Sequence, residues 1–254
     1  MIEPASPHVS RTAVVTGSRR GIGAAIAEAL LEAGLDVVVC GRGRDQVSAA
    51  VDRLQAAGWT RARAFAGDLG VEAERTRLLA EAGDVDVLVN NAGGFLRASQ
   101  TRDCTRDEWE HQLEANLTLP FTLCQAVLPG MLDRGWGRIV NIGSVTATAP
   151  QLGNAIGYVA AKAGLVGFTR QLAAEVAGTG VTANVVNPGT VGTEHLQDYA
   201  VESGASLDDL AGRIPLGRLG RPREIAGILP YLVSDDASFM TGAVVDINGG
   251  AVSA

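Results

Sequence analysis

At 254 residues, with 46% hydrophobic and 19% charged side chains, the chain carries enough apolar material for one large buried core and reads as a single α/β domain over 1–254. Its 28 acidic against 21 basic residues exclude the broad positive surface that a phosphodiester backbone needs, so no nucleic-acid partner is expected. The three cysteines, Cys40, Cys104 and Cys124, form no C-x-x-C pair and fit a reduced, cytoplasmic compartment, and no run of about 18 uninterrupted apolar residues points to a membrane or to export.

After a tail over 1–11, short β-branched runs alternate with longer alanine- and leucine-rich stretches. Strands are expected at 13–16, 37–40, 62–66, 85–90, 138–142, 182–186 and 243–247, and helices at 24–33, 47–57, 72–82, 107–134, 158–177 and 224–233. The strands read as continuous apolar runs, as strands covered on both faces must. Strand followed by helix, repeated, implies right-handed crossovers and a doubly wound parallel sheet of about seven strands, a Rossmann fold. The polar stretch 193–215 breaks this rhythm and is expected to form a lid over a substrate.

The first strand runs into Thr16-Gly17-Ser18-Arg19-Arg20-Gly21-Ile22-Gly23 and then a helix. Glycines there let backbone N–H groups approach a pyrophosphate, and the helix N-terminus adds partial positive charge. The T-G-x-x-x-G-x-G spacing differs from the G-x-G-x-x-G fingerprint. Arg19 and Arg20 oppose the macrodipole unless an anion binds; the alternative is two solvated loop arginines. At the end of the second strand Arg42 stands where an NAD site would hold a carboxylate, and Arg20 and Arg42 together are the main grounds for expecting NADP(H). Asp45 lies 22 residues beyond Gly23 and complicates this, but its position before 46–57 reads as a helix N-cap.

Tyr158 and Lys162 are four apart on an expected helix, so they share a face. A neighbouring ammonium would favour phenolate and draw the phenol, ordinarily near pKa 10, toward working pH. Ser144, at a strand end 14 residues earlier, can donate to an oxygen as charge builds on it. Asn116 sits within an expected helix despite poor propensity, so something other than helix stability should explain it. His8, His111 and His195 have no companions at metal-ligand spacing, and no metal is expected. No G-x-S-x-G elbow surrounds Ser144, which argues against a hydrolase.

The glycine loop, Asp68-Leu69, Asn90-Asn91-Ala92-Gly93, Asn116, Ser144, Tyr158-x-x-x-Lys162 and Pro188-Gly189 with Thr193 together resemble the classical short-chain dehydrogenase/reductase family from residue 12 to residue 250. The wording of 137–144 and of 239–250 is most similar to 3-oxoacyl-acyl-carrier-protein reductases and related carbonyl reductases. The resemblance implies that Tyr158 exchanges a proton with a ketone or secondary alcohol while the nicotinamide of NADPH carries the hydride. It implies that Asn116 bends its helix and holds a water linking Lys162 to solvent. It further implies that Asn90 braces the sheet, that Ala92 and Gly93 lie against the adenosine ribose and that Asp68 accepts from adenine, a helix cap being the alternative for Asp68. Val191 and Thr193 would meet the carboxamide, and a homotetramer or homodimer would form through the long helices and the last strand.

Phe95, Leu152 and Ile156, with Ser144 and Tyr158, outline an apolar substrate pocket. Gly135 and Thr179 occupy two positions where an acidic carrier protein would want cations, so a free small or cyclic ketone competes with a carrier-bound one. An NAD-dependent alcohol or sugar dehydrogenase, and a nucleotide-sensing protein without chemistry, are the rival readings.

Overall fold

Alternation along β1 (Thr12–Val15) shows why both faces of the sheet are covered. Ala13 and Val15 join one core cluster with Ile26, Leu30, Val37 and Val39, whereas Val14 joins another with Val38, Phe65, Leu78, Leu88 and Ile139. Each buried valine or leucine contributes roughly 1.5–3 kcal/mol, so the two clusters hold the sheet between two helical layers. The computed structural model describes residues 10–94, 97–149 and 154–252.

The chain continues through α1 (Gly21–Glu32), β2 (Asp36–Gly41), α2 (Arg44–Ala56), β3 (Ala62–Ala66), α3 (Glu72–Ala82) and β4 (Val87–Asn90). Then come α4 (Arg106–Leu113), α5 (Leu119–Arg134), β5 (Gly137–Ile142), α6 (Ile156–Glu175) and β6 (Val181–Pro188). The last part holds α7 (Glu194–Ser203), α8 (Leu207–Gly212), α9 (Pro222–Ala226), α10 (Leu229–Leu232) and β7 (Val244–Ile247). All seven strands are parallel in the order β3-β2-β1-β4-β5-β6-β7, so the direction of winding reverses between β1 and β4. A crevice opens at the carboxyl ends of the strands at such a reversal, and the candidate site lies there.

Three expected elements differ in detail. The helix over 107–134 is interrupted by a π-helical turn at Glu114–Thr118, which separates α4 from α5. The helix over 224–233 is two short ones, α9 and α10, and Pro230 in the first turn of α10 has no N–H to continue the earlier turn. Asp45 is not the cap of α2: that helix begins at Arg44 with Gly43 as N-cap, and Asp45 lies in the first turn, where its charge complements the dipole.

The 106–134 stretch is long and apolar enough to cross a membrane by length and composition. Here Leu123, Cys124, Val127 and Met131 are buried in the sheet's core. Its start is fixed by a capping box, in which Thr105 Oγ1 accepts from Glu108 N–H at 3.2 Å and Glu108 accepts from Thr105 N–H at 2.9 Å. Its end is Gly135 at φ 65°, a left-handed cap that gives a backbone reason for glycine where a carrier-protein reader would want a cation. All three cysteines are free, and burial pushes the Cys124 thiol up to about 12.

Candidate active site

The glycine loop is tied to the ends of β2 and β4 by side chains that the fold consumes. Ser18 Oγ donates to Val15 C=O at 2.6 Å and accepts from Cys40 N–H at 3.0 Å. Thr16 Oγ1 accepts from the N–H groups of both Asn91 and Ala92 at 2.9 Å, while Asn91 Nδ2 donates to the carbonyls of Thr16 and Gly17. Gly17 has φ 63°, and a Cβ there would press on Ala92 Cα; a Cβ on Gly23 would overlap Asn91 Nδ2 and the Gly17 carbonyl. Glycine is therefore required at both positions for the two loops to meet.

Helix α1 starts with no side-chain cap and no acidic residue in its first turn, leaving N–H groups for an anion. The two loop arginines diverge. Arg19 lies along Gly41 at the end of β2, whereas Arg20 turns the other way to an exposed ion pair with Asp198 of α7 at 3.4 Å. Arg42 is exposed just beyond β2. A cofactor carrying a ribose phosphate would meet Arg19 and Arg42 at this edge, and its pyrophosphate would meet the loop and the start of α1. The residues fit such a group.

At the other end of the cleft, Ser144 lies two residues beyond β5 and is 8% exposed. Its Oγ accepts from Thr146 N–H at 3.3 Å and from Thr146 Oγ1 at 3.0 Å. With two acceptor positions filled, its one O–H is left to donate, and Tyr158 is its hydrogen-bond partner. Tyr158 and Lys162 share the inward face of α6, with Lys162 Nζ 5.7 Å from the centre of the Tyr158 ring. Lys162 is 4% exposed and donates to Ile142 C=O at 2.7 Å.

This arrangement corrects the expected electrostatics of the pair. Burial raises the Tyr158 pKa above its ordinary value, and the hydrogen bond from Ser144 opposes that rise. Burial also pushes Lys162 down to about 8. The ammonium sits beside the ring and donates to a carbonyl, so desolvation outweighs its pull on the phenol. A phenol held protonated is suited to give a proton.

Asn116 is fully buried in the π-helical turn. Its Oδ1 accepts from Gly94 N–H at 2.8 Å, and its Nδ2 faces the carbonyls of Gly94 and Gln112 at 3.1 and 3.0 Å. A Cβ on Gly93 would overlap Asn116 Oδ1, so that glycine admits the contact. A widened turn of this kind is a frequent mark of functional sites.

A model of the short chain dehydrogenase family matches residues 11–203. The chain belongs to the short-chain dehydrogenase family. An acetoacetyl-CoA reductase of Rhizobium meliloti is 39% identical, over 95% of this chain and 98% of its own. A 3-oxoacyl-acyl-carrier-protein reductase of Vibrio cholerae is 41% identical, over 94% and 96%. An actinorhodin polyketide ketoreductase solved with NADPH superposes with a TM-score of 0.88 at 35% identity, over 97% and 99% of the two chains.

Within this short-chain dehydrogenase most expected site residues gather at the carboxyl ends of the strands. Asn90 is buried and donates to Asn141 Oδ1 at 2.8 Å, joining β4 to β5. Asp68 is exposed and makes a local turn with Gly70 N–H at 3.0 Å; it is not the cap of α3, which begins after Val71. Leu69 is buried in one core cluster and Ile22, partly buried, packs against the other. Gly189 N–H bonds Ile247 C=O, Val191 bridges to Gly220, and Thr193 caps α7 by accepting from Leu196 N–H.

Ile156 opens α6, and Phe95 and Leu152 lie outside the described residues. The expected lid contains α7 and α8; Thr193 lies against Gly21, and His195 Nε2 lies near Gly94, so the first turn of α7 reaches both loops of the cleft. Thr146 and Asn187 were not legible as site residues. Thr146 lies in a run of small polar residues, and the one signal for Asn187 is a polar residue in the otherwise apolar 185–188.

Proposed function

We propose that the protein is an NADP(H)-dependent reductase that interconverts a ketone and a secondary alcohol, with Tyr158 as the proton donor. The observation that carries this reading is a trio on one wall of the cleft: half-buried Tyr158, whose phenol desolvation keeps protonated, buried Ser144 hydrogen-bonded to it, and buried Lys162 fixed on the Ile142 carbonyl. When bound, the nicotinamide supplies the hydride. A bound carbonyl oxygen takes the place of the Tyr158 oxygen as acceptor of the Ser144 O–H, so that Ser144 and Tyr158 both donate to it and stabilise the alkoxide as it forms. Tyr158 gives up its proton to that oxygen, and Lys162, ionised below about 8, is the nearby cation that steadies the phenolate left behind.

The names of the two curated relatives favour a 3-oxoacyl or acetoacetyl thioester, and that of the polyketide ketoreductase a cyclic or polyketide ketone. Gly135, locked in a left-handed cap, weighs against recognition of a carrier protein at that position. Arg19 and Arg42 support NADP(H) over NAD. A homotetramer or homodimer through the long helices fits the exposed Phe121 of α5, which meets the partly buried Phe168 of α6 edge-on at 5.8 Å. Light scattering on the purified protein reads the assembly directly.

Purified protein, NADPH and a panel of acetoacetyl-CoA, carrier-bound 3-oxoacyl chains, cyclic ketones and oxidised sugars provide the test. Loss of nicotinamide absorbance with at least one ketone is expected. No turnover on the whole panel in either direction sinks the reading.

A further inference from the structure

Asn187 is a costly residue to bury. It is fully excluded from solvent at the end of β6, flanked by Val186 and Pro188, where a valine would pack without the penalty of desolvating an amide. Both ends of its side chain are used. Its Oδ1 accepts from the backbone N–H of Ser144 at 3.0 Å, and its Nδ2 donates to Oδ1 of Asp246 at 3.1 Å. The partners settle the orientation of the amide: a backbone N–H can only donate, and a carboxylate can only accept.

The approach is also built into the neighbours. Gly143 N–H bonds the Val186 carbonyl at 2.7 Å, which brings the turn after β5 against β6, and a Cβ on Gly143 would overlap the Asn187 oxygen. Asn187 and Asp246 are paired in register between β6 and β7, so the edge strand holds the carboxylate opposite the amide. Ser144 lies beyond the end of β5, and this amide takes the place of a strand partner for its N–H.

We infer that Asn187 and Asp246 are positioning residues: a carboxylate on the edge strand orients a buried amide that holds the Ser144 backbone, and through it aims the Ser144 hydroxyl at the substrate oxygen. This rests on the reading of Ser144 under Proposed function. The chain of contacts acts on one end of Ser144 while Thr146 holds the other, so the hydroxyl has a single direction left. Freed from Asp246, the amide can rotate, and the Ser144 N–H loses its acceptor.

Asp246 is half-buried on an edge strand, so it can be altered without opening the core as Asn187→Ala would. In Asp246→Ala, hydrogen exchange at the Ser144 amide should accelerate about tenfold, and kcat for ketone reduction should fall by about as much with the NADPH Kd unchanged. On a Ser144→Ala background the same change should lower the residual kcat less than about twofold, because two residues acting through one group are not additive. Asp246→Asn, which keeps an acceptor oxygen, should restore exchange and kcat to within about twofold of the parent.

Unchanged Ser144 exchange in Asp246→Ala, an equal loss of kcat on both backgrounds, or an Asp246→Asn variant as impaired as Asp246→Ala overturns the inference. A Ser144→Ala protein with parental kcat would instead refute the catalytic reading of Ser144, and the exchange measurement would still decide whether Asp246 holds that backbone.

Discussion

The two ends of the cleft are built on opposite physical principles. At the catalytic end Ser144, Asn116 and Lys162 are buried, and each is held by hydrogen bonds to neighbouring residues. At the phosphate end the glycine loop is equally fixed through Thr16, Ser18 and Asn91, but the charges it presents stand in solvent, and Arg20 pairs with Asp198 where water screens both. Buried groups have one geometry and strongly displaced proton affinities, so the chemistry is rigid. Exposed arginines have many geometries and weak pairings, so the choice of cofactor is adjustable.

Substitutions should therefore differ by orders of magnitude between the two ends. The largest effect is expected at Tyr158: Tyr158→Phe should reduce kcat/KM for ketone reduction by about 10²–10⁴-fold while a fluorescence titration finds NADPH binding intact. A variant that turns over normally would remove Tyr158 from the chemistry.

Next comes the pH dependence of the buried lysine. Lys162 is pushed down to about 8, so reduction should be level below that value and decline above it as the ammonium is lost. The same shift carries a sign for stability. Between about 8 and the ordinary lysine value of 10.5 the unfolded chain binds more protons than the folded one, so the contribution of Lys162 to stability rises with pH across that window. Urea unfolding of the parent and of Lys162→Met at pH 7 and 10 checks it: the variant should gain more relative to the parent at pH 7. A gap that is larger at pH 10 would contradict the burial account.

Arg42→Asp should shift the preference from NADPH toward NADH by about tenfold to a hundredfold, the loss of a charge-assisted hydrogen bond plus added repulsion. An unmodified protein that already prefers NADH would break the assignment of this edge. Gly135→Lys should cost about 1–2 kcal/mol, seen as a fall of a few degrees in Tm, because a side chain must enter the left-handed region. The smallest effect is expected for Arg20→Ala, within about 1 kcal/mol of the parent, since its ion pair with Asp198 is exposed.

The order of strands and helices was legible because parallel strands covered on both faces must be largely apolar, and 37–40, 87–89 and 139–140 are uninterrupted apolar runs. Tyr158, Lys162 and Ser144 were legible because spacing along a helix or at a strand end implies a shared face. The breaks were not. In the 107–134 pattern the poor helix former Asn116, which the resemblance has bending its helix, was the one hint of the π-helical turn, whose place is set where the Asn116 amide finds Gly94 and Gln112. Asp45 read as a cap because a carboxylate before a helix usually is one, but Gly43 began the turn two residues earlier.

Residue types and their spacing along the chain thus determined the doubly wound sheet, the glycine loop after β1 and the helix face that Tyr158 and Lys162 share, since each depends on local periodicity. Tertiary structure alone decided how far each group is removed from water and what it touches: that desolvation of Tyr158 outweighs the pull of Lys162, which bonds Ile142, that Arg19 and Arg20 part ways, and that Asn187 stands behind Ser144. Desolvation and hydrogen bonding between residues distant in sequence exist only once the strands are laid side by side.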